Sequence, residues 1–146
     1  MAITQAMTTS FKAELLLGVH DFRPSADTGA DVFKLALYTS SASLDANTTA
    51  YTSSDEVSSV GTNYTAGGAT LTPVAPTSSG TTAYISFSNV SWSNASFTAR
   101  GALIYNSTTG AAVCVLNFGS DKTCSNQTFT VTFPTAGATS AILRIA

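Results

Sequence analysis

Charged side chains are scarce in this chain. They make up 10% of its 146 residues, against about 25% in an average globular domain, so Ser, Thr, Asn and Gly must cover most of the surface. Such a surface loses little side-chain entropy when it packs against another molecule, which suits an assembly surface. The six basic residues, Lys12, Arg23, Lys34, Arg100, Lys122 and Arg144, are scattered. That argues against a nucleic-acid partner, because phosphate binding gathers several cations on one face. Long apolar runs are also missing. None approaches the roughly 20 residues of a membrane-spanning helix, so no membrane partner is expected. No basic residue precedes the apolar part of the N-terminus, and Leu15-Leu16-Leu17 is too short for a secretory core, so synthesis in a cytoplasm is expected.

Histidine occurs once, as His20, which leaves little for Ser–His–Asp chemistry. Asp21 is its neighbour, but adjacent helical residues diverge by about 100°, and no serine is marked as a nucleophile. A solvated or capping histidine, and no enzyme, is the expectation. Cysteine occurs twice, as Cys114 and Cys124, without the second pair a cysteine metal site needs. Both read as reduced thiols: a hairpin turning around residues 121–126 sets Cys114 opposite a residue near Val131, so a disulfide needs another register. Asp27, Asp31, Asp55 and Glu56 lie among small polar residues where acids cap loops, and 27–31 is too sparse for calcium. Gly67-Gly68 lacks the lysine of a phosphate loop. Tyr51, Tyr64, Tyr84 and Trp92 are the candidates for stacking on sugars. The six Asn-x-Ser/Thr triplets follow from composition. No cofactor and no metal are expected.

What the chain does have is two-residue alternation, densest over residues 81–121. Ala83, Ile85 and Phe87 share one face of a pleated segment, and Phe97, Ala99, Gly101, Leu103 and Tyr105 repeat the pattern. Residues 106–110 supply turn chemistry into 111–118, which makes a hairpin. Phe33, Leu35 and Leu37 alternate with Lys34, Ala36 and Tyr38, giving a strand over 32–39. Pro73 places strand 69–74 at an edge; 76–80 and 119–122 read as turns, 129–133 and 140–145 as strands, and Trp92 as lying between strands. Ser53 and Glu56 form a capping box that predicts a short helical turn.

Phe11, Leu15, Val19 and Phe22 recur at three- and four-residue spacing, which predicts an amphipathic helix over 11–22, capped by Ser10 and ended by Arg23-Pro24. Residues 1–10 read as an extended arm, and 11–146 as a single β domain. Seven or eight short strands imply a mainly β fold, an antiparallel β-sandwich or jelly-roll-like barrel with a short N-terminal α-helix.

The opening MAITQAM with SFKAELLLGVHDF, the segments FKLALYTSSASLDANTTAYTSSDEV and YTAGGATLTPV, then FTARGALIYN, VCVLNFGSDKT and FTVTFPTAGATSAILRI resemble a family of small tailed-bacteriophage virion structural proteins. The resemblance spans nearly the full length. It implies a non-enzymatic capsid decoration (cement) protein on the capsid exterior, with the major capsid protein as partner and a symmetric homo-oligomer, trimer or dimer, as the assembled state. The alternative it leaves is a tail or baseplate component, with a host-surface glycan as ligand. The N-terminal segment is the expected capsid or subunit contact, through Ile3, Met7, Phe11, Leu15, Val19 and Phe22.

Overall fold

The computed structural model describes residues 2–24 and 27–146; Met1 of the expected arm and Ser25 and Ala26 of the polar loop lie outside the described residues. Alternation sets the architecture. In chain order the elements are β1 (Ala6–Met7), α1 (Thr9–Leu16), β2 (Phe33–Tyr38), β3 (Ala69–Thr70), β4 (Pro73–Ser79), β5 (Thr82–Phe87), β6 (Val90–Asn106), β7 (Ala112–Val131) and β8 (Leu143–Ile145). They form two antiparallel sheets, of order β1-β7-β6-β2-β3 and β4-β5-β8. The protein is a mainly β sandwich; among the described residues there is one short helix, and the sheets do not close into a barrel.

The expected alternation of β2 between apolar and polar faces is wrong in an informative way. Five of its six residues are buried, because the sheet is covered on both sides. Phe33, Leu35 and Leu37 point into the main core with Ile85, Phe87, Val113 and Phe133. Ala36 and Tyr38 point the other way, into a second core with Ile3, Leu44, Leu103, Tyr105 and Val115. That second core lies beneath a strap, residues 39–68, whose Ala42, Leu44 and Tyr51 cover it. The strap is anchored along β2, where Val57 N–H donates to Leu37 C=O at 2.9 Å and Thr39 N–H to Asp55 C=O at 3.0 Å.

The hairpin of β6 and β7 is longer than the sequence suggests. Trp92 lies within β6, paired with Phe129, and Cys124 lies within β7, opposite Phe97, rather than in a turn. The polar run at 119–122 does not reverse the chain. Gly101 pairs with Asn117 and Ala99 with Lys122, so residues 118–121 bulge out opposite Arg100. Bulges bend a ribbon. A straight strand would hold residues 118 and 129 about 36 Å apart, yet the two phenylalanine rings are 6.3 Å apart. Gly119, Asn94 and Asn126 take positive φ along this ribbon. The strand expected over 69–74 divides into β3 and β4, and β4 runs through Pro76, which falls at a register shift between Val74 and Thr77 where no ladder N–H is needed.

The N-terminal segment departs most from expectation. Residues 2–8 are bonded into the fold rather than a free arm: Thr4 N–H donates to Leu44 C=O of the strap at 2.8 Å, Leu44 N–H to Ala2 C=O at 3.1 Å, and β1 pairs in the sheet with Val115 and Cys114. The helix cap is Thr8, not Ser10. Its hydroxyl oxygen accepts from Phe11 N–H at 3.4 Å, while its O–H reaches the carbonyls of Ala112 and Val113 at 3.2 Å. The helix stops at Leu16 rather than Phe22 because Gly18 takes φ 73°. Gly18 N–H then donates to Leu15 C=O at 3.2 Å and Val19 N–H to Glu14 C=O at 3.0 Å. This is a Schellman ending, and proline at 24 plays no part in it.

Candidate contact surface

The six expected contact residues divide by where the fold puts them. Ile3 is buried in the second core and Phe11 and Phe22 in the main core, so these three hold the segment onto the sandwich. Met7 and Leu15 are half-buried against the main core. Val19 alone of the six is exposed, at 37%. Because the helix ends early, the exposed apolar side chains fall at its C-terminal corner: Leu16 is 92% and Leu17 78% exposed. These two were read as part of an apolar triplet, not as contacts; the missed signal was Gly18, which terminates the helix and turns them outward. Below the corner, Met7, Phe11, Leu15, Phe22, Tyr84 and Leu143 line an almost wholly apolar groove of about 130 Å³.

A buried polar network fixes this corner to the sheet. The His20 ring is sealed from solvent and stands among Phe11, Phe22 and Phe33, with the Phe11 ring centroid 4.9 Å away. Its Nε2 lies 2.6 Å from Glu14 Oε2 and its Nδ1 3.1 Å from Asn106 Nδ2. Asn106 Nδ2 also donates to Asp31 Oδ2 at 2.8 Å, and Asp31 Oδ2 accepts from Asp21 N–H at 2.8 Å. The expectation of a solvated or helix-capping histidine is therefore overturned: His20 joins α1 to the β6–β7 turn. Outside the network, the Arg23 guanidinium bonds Asp21 and holds its carboxyl below the usual range.

Glu56 makes no capping box. Ser53 and Glu56 share only a backbone turn, and the carboxylate instead accepts from Tyr51 O–H at 2.7 Å, Tyr64 O–H at 2.6 Å and Gly67 N–H at 2.8 Å. Tyr64 oxygen in turn accepts from Leu37 N–H at 2.9 Å, and Tyr105 O–H donates to Gly67 C=O at 2.7 Å. One acid thus ties the strap's two halves to β2. Burial, and after it Glu56, pushes the Tyr38, Tyr51, Tyr64 and Tyr105 phenols above their ordinary range.

The remaining candidates stay apart. Trp92 and Tyr64 are buried and pack with Phe97, Tyr51 stacks on Tyr105 at 4.6 Å, and Tyr84 lines the apolar groove. The shared exposed aromatic groove that a glycan reading needs is absent among the described residues. Asp27 is exposed and Asp55 adopts φ 61° in the strap; no group of three or more His, Cys, Asp or Glu among the described residues is placed to hold a metal ion.

Cys114 and Cys124 are buried free thiols. They pair with different partners, Ile104 and Phe97. Burial pushes the Cys114 thiol up to about 12 from an ordinary 9.0. Because the thiolate is the reactive form, native protein should leave Cys114 unmodified by a thiol reagent at pH about 8 and react fully once unfolded; mass spectrometry of the labelled peptide reads this out. Cys114 and the four tyrosines have raised folded-state values, so their contribution is complete below the unfolded-state values and is lost as pH rises. Between pH about 7.5 and about 8 urea midpoints should be flat, and above that they should fall.

No family model, curated protein or solved structure matches the chain.

Proposed function

We propose that this chain is a non-enzymatic virion structural protein that decorates the exterior of a tailed-phage capsid, bound to the major capsid protein and assembled as a symmetric trimer or dimer. The sequence resemblance supplies the class. The observation that carries the contact is the exposed leucine pair at the end of α1. On a surface covered mainly by small polar residues, Leu16 and Leu17 project from a rigid Schellman corner, and apolar side chains so exposed favour a partner that removes them from water. The low charge of the chain lowers the desolvation cost of the surrounding contact.

The test is the double substitution Leu16→Ser/Leu17→Ser. Fold stability should stay within about 0.5 kcal/mol of the parent, as expected for exposed positions. Burying each leucine contributes about 1.5–3 kcal/mol, so affinity for particles should fall at least about 100-fold, read as lost occupancy at limiting protein concentration. Particles imaged with and without the protein locate it. Unchanged occupancy of the double variant removes this contact, and density at the tail tip replaces decoration with the tail or baseplate reading. Deleting residues 2–10 is not an equivalent test, because it also strips Ile3 from the second core and Thr8 from the helix cap.

A further inference from the structure

We infer that His20 is a proton-sensitive joint, whose direct bond between the helix corner and the β6–β7 turn exists only while the imidazole is neutral. Hydrogen-bond directions carry this. Thr108 N–H donates to Asn106 Oδ1 at 3.0 Å, which fixes that atom as the amide oxygen. Asn106 Nδ2 then faces both Asp31 Oδ2 at 2.8 Å and His20 Nδ1 at 3.1 Å. A carboxylate oxygen only accepts, so the amide nitrogen is correctly placed beside it. His20 Nδ1 must therefore be an acceptor, and Nε2 carries the proton that it donates to Glu14 Oε2 at 2.6 Å.

A second proton on the ring goes to Nδ1 and sets one N–H against another. Turning the Asn106 amide does not repair this. Its oxygen would then oppose Asp31 Oδ2, and its NH₂ would oppose Thr108 N–H. The imidazolium instead keeps, and strengthens by charge, its bond to Glu14, and the bond to Asn106 is the one lost. The charged groups facing the joint are Glu14 from α1, Asp31 through Asn106, and Asp21 with its partner Arg23 through Asp31. From β2 and the loop the ring meets Phe33 and Phe22. Protonation thus leaves His20 attached to the helix and frees residues 106–108 from it. The corner that loses this bond carries Leu16, Leu17 and Val19, and stays tied to the turn through Asp31 and Asp21.

Nitrogen-15 NMR of the full chain tests this as pH falls from about 7.5 to about 5, the range in which histidine side chains change charge. The expected result is that the His20 ring starts as the Nε2–H tautomer. As it becomes imidazolium, the Asn106 side-chain NH₂, which loses its acceptor at His20 Nδ1, shifts and its exchange rises about tenfold, on the order of one lost hydrogen bond. His20→Gln should show no such step. The inference is overturned if the ring starts as the Nδ1–H tautomer, if it stays neutral across the range, if it charges without any change at the Asn106 side-chain amide, or if His20→Gln shows the same step, which would assign it to Glu14 or Asp31. None of these readouts depends on the capsid proposal.

Discussion

Gly68→Ala should yield no soluble folded protein. Gly68 has φ 80°, and a Cβ built there would lie 1.9 Å from Leu35 oxygen, 2.5 Å from Leu35 carbonyl carbon and 2.7 Å from Ala36 Cα. All three atoms are backbone of β2, a strand held between β6 and β3 and buried on both faces, so no side-chain rotation relieves the overlap. Either the strap lifts from β2, which uncovers the second core, or β2 shifts and both cores lose packing. The expected loss exceeds about 4 kcal/mol, in the range that only such mechanisms reach. Gly67→Ala is the built-in comparison. It shares the positive φ, 86°, but its Cβ would meet only Tyr105 hydroxyl, at 3.4 Å. It should therefore lose about 1–2 kcal/mol, the left-handed backbone penalty alone. Soluble yield and urea unfolding of the pair decide this; a Gly68→Ala protein as stable as Gly67→Ala would mean that the strap does not approach β2 this closely.

Glu56→Ala should cost about 3–5 kcal/mol, the second largest effect. It leaves three donors, Tyr51 O–H, Tyr64 O–H and Gly67 N–H, without their acceptor, and an unsatisfied buried polar group costs about 1–3 kcal/mol. Tyr51 is the least buried of the three groups' residues that are side-chain donors and can recover a bond to water, which keeps the total below the sum. That loss is a large share of a stability of about 5–15 kcal/mol. Glu56→Gln keeps one acceptor oxygen and should fall between the parent and the alanine variant. Tyr64→Phe removes one donor but strips Leu37 N–H of its acceptor, so it too should destabilise. Combined with Glu56→Ala it should be less than additive, because the two substitutions share one bond. Urea unfolding of the four variants measures this cycle, and a Glu56→Ala loss under about 1 kcal/mol would show that water replaces the carboxylate.

These two positions show what a reader of the sequence can and cannot see. Glu56 was legible as an acid with a structural role, but the capping box that suggested it is a local pattern, and its real partners are five to eleven residues away across a folded strap. Gly67-Gly68 is legible in the sequence only as a glycine pair without the lysine of a phosphate loop; that one of the pair lies against β2 follows only from the fold. The strand pattern at 33–37 and the hairpin across 106–111 were readable because alternation and turn chemistry are local. The 119–122 run misled for the same reason: Gly, Ser, Asp and Lys suit a bulge as well as a turn, and only the continued pairing of Ala99 with Lys122 separates the two.

His20 and the leucine corner differ in kind. Gly18 was in plain view as a helix terminator, and with it the sequence could have placed Leu16 and Leu17 outside. His20 is not readable in this way, since its partner Asn106 is 86 positions away, and in the sequence Asn106 is only a turn residue. By itself the sequence determined the class of fold, the low-charge surface and most of the strands, because burial at alternate positions is a property of neighbouring residues. The tertiary structure alone decided that β2 is covered on both faces, that residues 2–8 are bonded to the strap and to β7, and which apolar side chains remain outside. Those outcomes depend on which distant segment pays for covering each face, and a chain read in one dimension carries no term for that.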